Sequence, residues 1–130
     1  MRLIGIDPGR TIGMAYVRFT DGTAQHAHGA DFQDPIACYR MCTSKNPETV
    51  VFVIEQYYGS GLQSRDGEHT LRVYGYLLWR LQEEGLTVVP RSPQSRLHML
   101  DEASKWYPKY VDRHKRDALA HALSYANERR

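Results

Sequence analysis

Two short apolar runs, each closing on a carboxylate, restrict the fold of this chain more than any other feature. Val50 to Glu55 reads VVFVIE, five apolar residues and then a charge. Such a run has no polar side to offer water, so it suits a strand covered on both faces of a sheet. Arg2 to Asp7 reads RLIGID and stops at Pro8-Gly9, as a central strand does when it ends in a turn. A sheet covered on both faces needs helices between its strands, which makes the expected class α/β.

The remaining elements follow from periodicity and turn chemistry. Thr11 to Thr20 approximates period two through Ile12, Met14, Tyr16 and Phe19, and Asp21-Gly22 is a hairpin turn before Thr23 to Asp31. Asp34-Pro35 opens a helix expected to reach about Lys45, where Asn46-Pro47 stops it. Gln56 to Gly67 carries tyrosines, glycines and serines, which predicts a long loop, and loops of that length are often functional. A helix follows from about Glu68 to Glu84, then a strand over Thr87 to Val89 and a break from Pro90 to Pro93. Gln94 to Tyr110 fits one or two short helices, and the last helix runs from Asp112 or Arg113 to Asn127, rich in alanine. The order is βββαβαβα, a five-stranded mixed sheet flanked by helices.

At 130 residues, with 42% hydrophobic and 25% charged residues, the chain suits a single domain over residues 1–130 and excludes collagen-like or wholly disordered classes. No apolar run approaches the roughly 20 residues that span a bilayer, and no signal-peptide layout follows Met1, so a cytoplasmic location without membrane contact is expected. Cys38 and Cys42 lie one helical turn apart and read as reduced thiols. The charge is uneven: residues 91–130 hold 9 Lys/Arg against 5 Asp/Glu, net +4, and residues 1–90 hold 8 against 10, net −2. A basic final third permits a polyanionic partner, although charge alone slightly favours a solvated surface.

The chemistry gathers where strands end. If the strands ending at Asp7 and Glu55 are parallel neighbours, both carboxylates emerge at the sheet edge where ligands collect in α/β folds. His114 and Asp117, spaced i, i+3, project from one face of the last helix. A carboxylate at a strand end also serves as a turn residue, and His114 alone suits a helix start. Together the four offer the oxygen-rich donor set that hard divalent cations prefer.

Ile4-Gly5-Ile6-Asp7-Pro8-Gly9 with Thr11-Ile12-Gly13, then Val53-Ile54-Glu55-Gln56, then His114-x-x-Asp117-Ala118-Leu119-Ala120-x-Ala122, resembles the RuvC-like Holliday junction resolvases of the RNase H-like superfamily. The similarity spans nearly the whole chain, in a compact form like that of phage-encoded relatives. It implies an RNase H-like fold, a homodimer, and Mg²⁺-dependent incision of four-way DNA junctions leaving 5′-phosphate and 3′-hydroxyl ends. It also implies that Asp7, Glu55, His114 and Asp117 are catalytic ligands of two Mg²⁺ ions, with Mn²⁺ able to substitute. The host would be a bacterial cell or one infected by phage.

Around that site Arg10, Arg65, Arg91, Arg96, Lys115 and Arg116 are candidates for phosphate contacts. Tyr57 and Tyr58 could stack on unpaired bases or pack within their loop. In the helix after the loop, Leu71, Tyr74, Leu78 and Leu81 form one apolar stripe for the sheet, and the surplus of Val73, Tyr76, Leu77 and Trp79 suits a twofold dimer interface. Other readings are a nuclease for flaps, forks or RNA–DNA hybrids, an actin-like nucleotide binder built on the Asp7 to Thr11 turn, and a non-catalytic DNA-binding module.

Overall fold

The computed structural model describes residues 1–57, 65–108 and 110–129. β1 (Arg2–Asp7), β2 (Ile12–Thr20) and β3 (Thr23–Phe32) form an antiparallel meander. Asp21 and Gly22 both hold positive φ, 53° and 76°, as the two-residue hairpin turn requires. α1 (Pro35–Cys42) crosses to β4 (Val50–Glu55), which pairs with β1 in parallel from Arg2↔Val50 to Ile6↔Ile54. α2 (Arg65–Glu83) crosses to β5 (Thr87–Arg91), parallel to β4, and α3 (Leu100–Ser104) and α4 (Arg113–Glu128) follow. The sheet order is β3-β2-β1-β4-β5, so the two apolar runs lie side by side near its centre. This is an RNase H-like fold with the element order the sequence predicts.

Alternation along the strands separates the two layers. Ile4, Ile6, Val50, Phe52 and Ile54 face α1 and α2, where Cys38, Tyr39, Val73, Tyr74, Leu77 and Leu81 complete one buried cluster. Leu3, Ala15, Val17 and Val53 face α4 in the other. Asp7 shares the parity of Leu3, and Glu55 that of Val53, which directs both carboxylates to the α4 side. Two glycines let α4 come close: a Cβ on Gly5 would stand 1.9 Å from the Ala118 carbonyl oxygen, and one on Gly13 would stand 2.2 Å from that of His114.

Several boundaries differ from expectation for local reasons. α1 stops at Cys42, where Thr43 leaves helical geometry as the C-cap at φ −102° and ψ 11°, its hydroxyl bonded to the Tyr39 carbonyl. α2 begins at Arg65, three residues early, with Asp66 and Glu68 in its first turn, where acidic side chains suit the helix dipole. β5 continues through Pro90 to Arg91 because it is an edge strand, which tolerates a residue without an N–H. The stretch after it folds as 3-10 turns over Pro93–Met99 and then α3. The buried stripe of α2 is Val73, Tyr74, Leu77 and Leu81, so the helix is rotated from the expected stripe and leaves Leu71 and Trp79 at 36% and 56% exposure. Cys38 and Cys42 are buried free thiols with sulfurs 4.0 Å apart. Among the described residues no helix is long and apolar enough to cross a membrane.

Candidate functional site

The parallel pairing of β1 and β4 and the close seating of α4 bring Asp7, Glu55, His114 and Asp117 to one edge of the sheet. Asp7 is buried, and His114 Nδ1 lies 3.4 Å from its Oδ2. Burial pushes the Asp7 carboxyl up to about 7; the His114 contact opposes that rise, and the Glu55 and Asp117 carboxylates reinforce it. The same contact with Asp7 raises His114 above its ordinary value, against some desolvation. Burial also lifts Glu55, but hydrogen bonds from His121 and Asp7 and the charge of Arg96 outweigh it, and Glu55 settles below its ordinary value. Over the pH range between the two groups, Asp7 keeps a proton that Glu55 has given up.

Among the described residues Arg96 reaches two of these acids. Its Nη1 donates to Glu55 Oε1 at 2.6 Å and to the Pro93 carbonyl at 2.8 Å, and its Nε lies 3.9 Å from Asp117 Oδ2. Asp117 Oδ1 accepts from Arg116 Nη2 at 2.9 Å, so Asp117 pairs with neither Arg113 nor Lys115. One participant escaped the sequence reading. His121 is fully buried, and its Nε2 stands 2.9 Å from Glu55 Oε1. The helix spacing carries the signal, since residues 114, 117 and 121 share one face, although the surrounding alanines read equally as packing.

The phosphate-contact candidates divide. Arg91 donates to both carboxylate oxygens of Glu128 at 2.6 Å and to Ser124, with only 14% of its side chain exposed, which makes it a clamp between β5 and the end of α4. Arg116 is buried against Asp117, and Lys115 pairs with Asp112 at 2.8 Å. Each of these three is paired with a carboxylate of the chain itself. Arg10 is exposed and paired with Asp66, and Arg96 is partly accessible. Tyr57 is partly buried and packs against the cluster under α1 and α2. Tyr58 and the side chain of Arg65 lie outside the described residues.

No group of three or more His, Cys, Asp or Glu among the described residues stands ready-made as a metal cage. The donor set nevertheless fits a hard divalent cation. Three carboxylates and an imidazole gather at one sheet edge, an oxygen-rich set of the kind such ions take, and Glu55 and Asp117 add to the rise that burial gives Asp7.

No protein-family profile matches the chain, and neither does any curated protein. Solved structures do. The chain is similar to the T. thermophilus RuvC solved in complex with a Holliday junction substrate, at TM-score 0.72 and 18% identity over 99% of this chain and 95% of that one. It is also similar to the Fowlpox virus resolvase solved with substrate Holliday junction DNA, at TM-score 0.61 and 17% identity over 98% of each chain. The shared architecture identifies the fold as the RNase H-like one of these two proteins.

Proposed function

We propose that this chain is a metal-dependent, structure-selective DNA endonuclease that resolves four-way junctions by paired nicks. The observation that carries this reading is the convergence of Asp7, Glu55, Asp117 and His114 at the edge where β1, β4 and α4 meet. The likeness in fold to two proteins solved with Holliday junction DNA supports the choice of substrate.

Asp7, Glu55, Asp117 and His114 would hold two Mg²⁺ ions, with Mn²⁺ as a substitute. Bound there, the ions supply an activated water and charge stabilisation for hydrolysis of a phosphodiester, leaving 5′-phosphate and 3′-hydroxyl ends. The residues of the chain prepare that chemistry. Asp7 must lose the proton it retains to act as a ligand, and the contact with His114 helps hold its carboxylate in place. Arg96, partly open to solvent beside Glu55, would contact the scissile phosphate, and Arg10 would track the backbone near the Asp7 turn.

Two opposed cuts require two such sites related by a twofold axis, hence a homodimer. α2 carries an exposed row of Leu71, Gly75 and Trp79 at i, i+4, i+8, with open space where a Gly75 side chain would be. That row lets two copies approach helix to helix.

The test is incubation with Mg²⁺ and, in parallel lanes, an end-labelled four-way junction, the matching duplex, a flap, a fork and an RNA–DNA hybrid. Symmetric, ligase-sealable nicks confined to the junction are expected. Cutting of flap, fork or hybrid instead would reassign the substrate, and no cutting with any divalent ion would leave a DNA-binding module.

A further inference from the structure

We infer that His121 is a positioning residue that fixes one oxygen of Glu55 so that the carboxylate keeps its orientation toward a metal ion. The inference rests on reading the acidic edge as a metal-dependent nuclease centre. His121 sits in α4 one turn beyond Asp117, with none of its surface exposed, and its Nε2 lies 2.9 Å from Glu55 Oε1. Its Nδ1 is buried and meets no hydrogen-bond partner among the described residues. A carboxylate oxygen accepts, so Nε2 carries the proton and donates it to Glu55.

Packing does not account for an imidazole at this position. Its helix neighbours Ala118, Leu119, Ala122 and Leu123 belong to the buried apolar layer beneath α4. A leucine of similar volume could fill the space without leaving a ring nitrogen unsatisfied. The hydrogen bond to Glu55 is what the ring contributes and an apolar side chain would not.

Arg96 reaches the same oxygen at 2.6 Å, yet the two donors differ in kind. The Arg96 side chain is 27% exposed and the His121 side chain 0%, so an incoming phosphate can compete for Arg96 but cannot reach His121. With Arg96 turned to substrate, His121 still pins Oε1, and the second carboxylate oxygen is taken by neither donor. Partners of this kind, which orient a ligand without touching the ion, commonly alter metal affinity about 10- to 100-fold.

The experiment measures Mn²⁺ binding to the full chain by calorimetry, with no DNA present, for wild type, His121→Leu and His121→Gln, beside thermal unfolding in chelator. His121→Leu is expected to unfold at or above the wild-type temperature and to bind Mn²⁺ about tenfold more weakly or worse. His121→Gln, whose amide can still donate to Glu55, is expected to recover most of the affinity. Should the leucine variant fail to fold, His121→Met carries the same comparison. Wild-type affinity in the apolar variant would overturn the inference alone, as would weakened binding that the glutamine does not rescue and that tracks lost stability. A wild-type chain that takes up no Mn²⁺ would overturn the nuclease reading and this inference together.

Discussion

Asp7 combines two demands that oppose each other. Its place at the end of β1, under α4 and beside two carboxylates, suits a metal ligand and disfavours its charged form in the metal-free protein. The sign of the consequence is fixed. A carboxyl raised from 3.8 to about 7 keeps its proton in the fold while the unfolded chain has lost it, so metal-free stability should fall as pH rises between those values. His114, also raised, adds a change of the same sign above its own ordinary value. Each pH unit across that window is worth at most about 1.4 kcal/mol, enough to move the unfolding midpoint by several degrees. Thermal unfolding in chelator from pH 4 to 8 checks this; a flat profile would contradict it. Asp7→Asn should flatten the slope, raise the midpoint at pH 8 and lower junction cutting by about two orders of magnitude or more, with DNA binding retained. Arg91→Ala should behave oppositely, costing about 1 kcal/mol of stability, because the 50% exposure of Glu128 lets solvent screen the pair, and leaving cutting largely intact. Chemical denaturation beside a cleavage assay separates the two roles.

At the scale of elements, the position of α4 decides whether there is a site at all. Gly5 and Gly13 admit its backbone, and the Gly13 contact lies against His114 itself. Gly13→Ala should therefore shift the start of α4 outward and lower cleavage about 100-fold, a larger effect than its loss of stability, since a displacement near 1 Å is costly to catalysis. Circular dichroism melts beside single-turnover cleavage would show whether the two losses separate. The strands were legible from sequence because an apolar run that ends in a charge has few alternatives. β5 was harder to delimit, since Pro90 breaks most strands and is tolerated here only by the edge position. α2 was legible as a helix, whereas its rotation was not: nearly every face carries an apolar residue, and only docking on β4 and β1 selects Val73, Tyr74, Leu77 and Leu81.

For the whole molecule, the proposed dimer puts Leu71 and Trp79 to use. Trp79→Glu should convert it to monomer in light scattering and replace paired nicks by single ones; an unchanged mass would remove α2 from the interface. Element order, the two central strands, their terminal carboxylates and the His114/Asp117 pair are all legible in the amino-acid pattern, because strand parity and helix spacing are local and repeat over a few residues. How the charges are shared follows only from packing. It placed Arg96 on Glu55, gave Arg91 to Glu128 and buried His121 behind the site. Those partners lie 41, 37 and 66 residues apart in the chain. A long cationic side chain can reach several acids, and only the packed geometry selects among them, because that selection depends on burial and distance rather than on residue type.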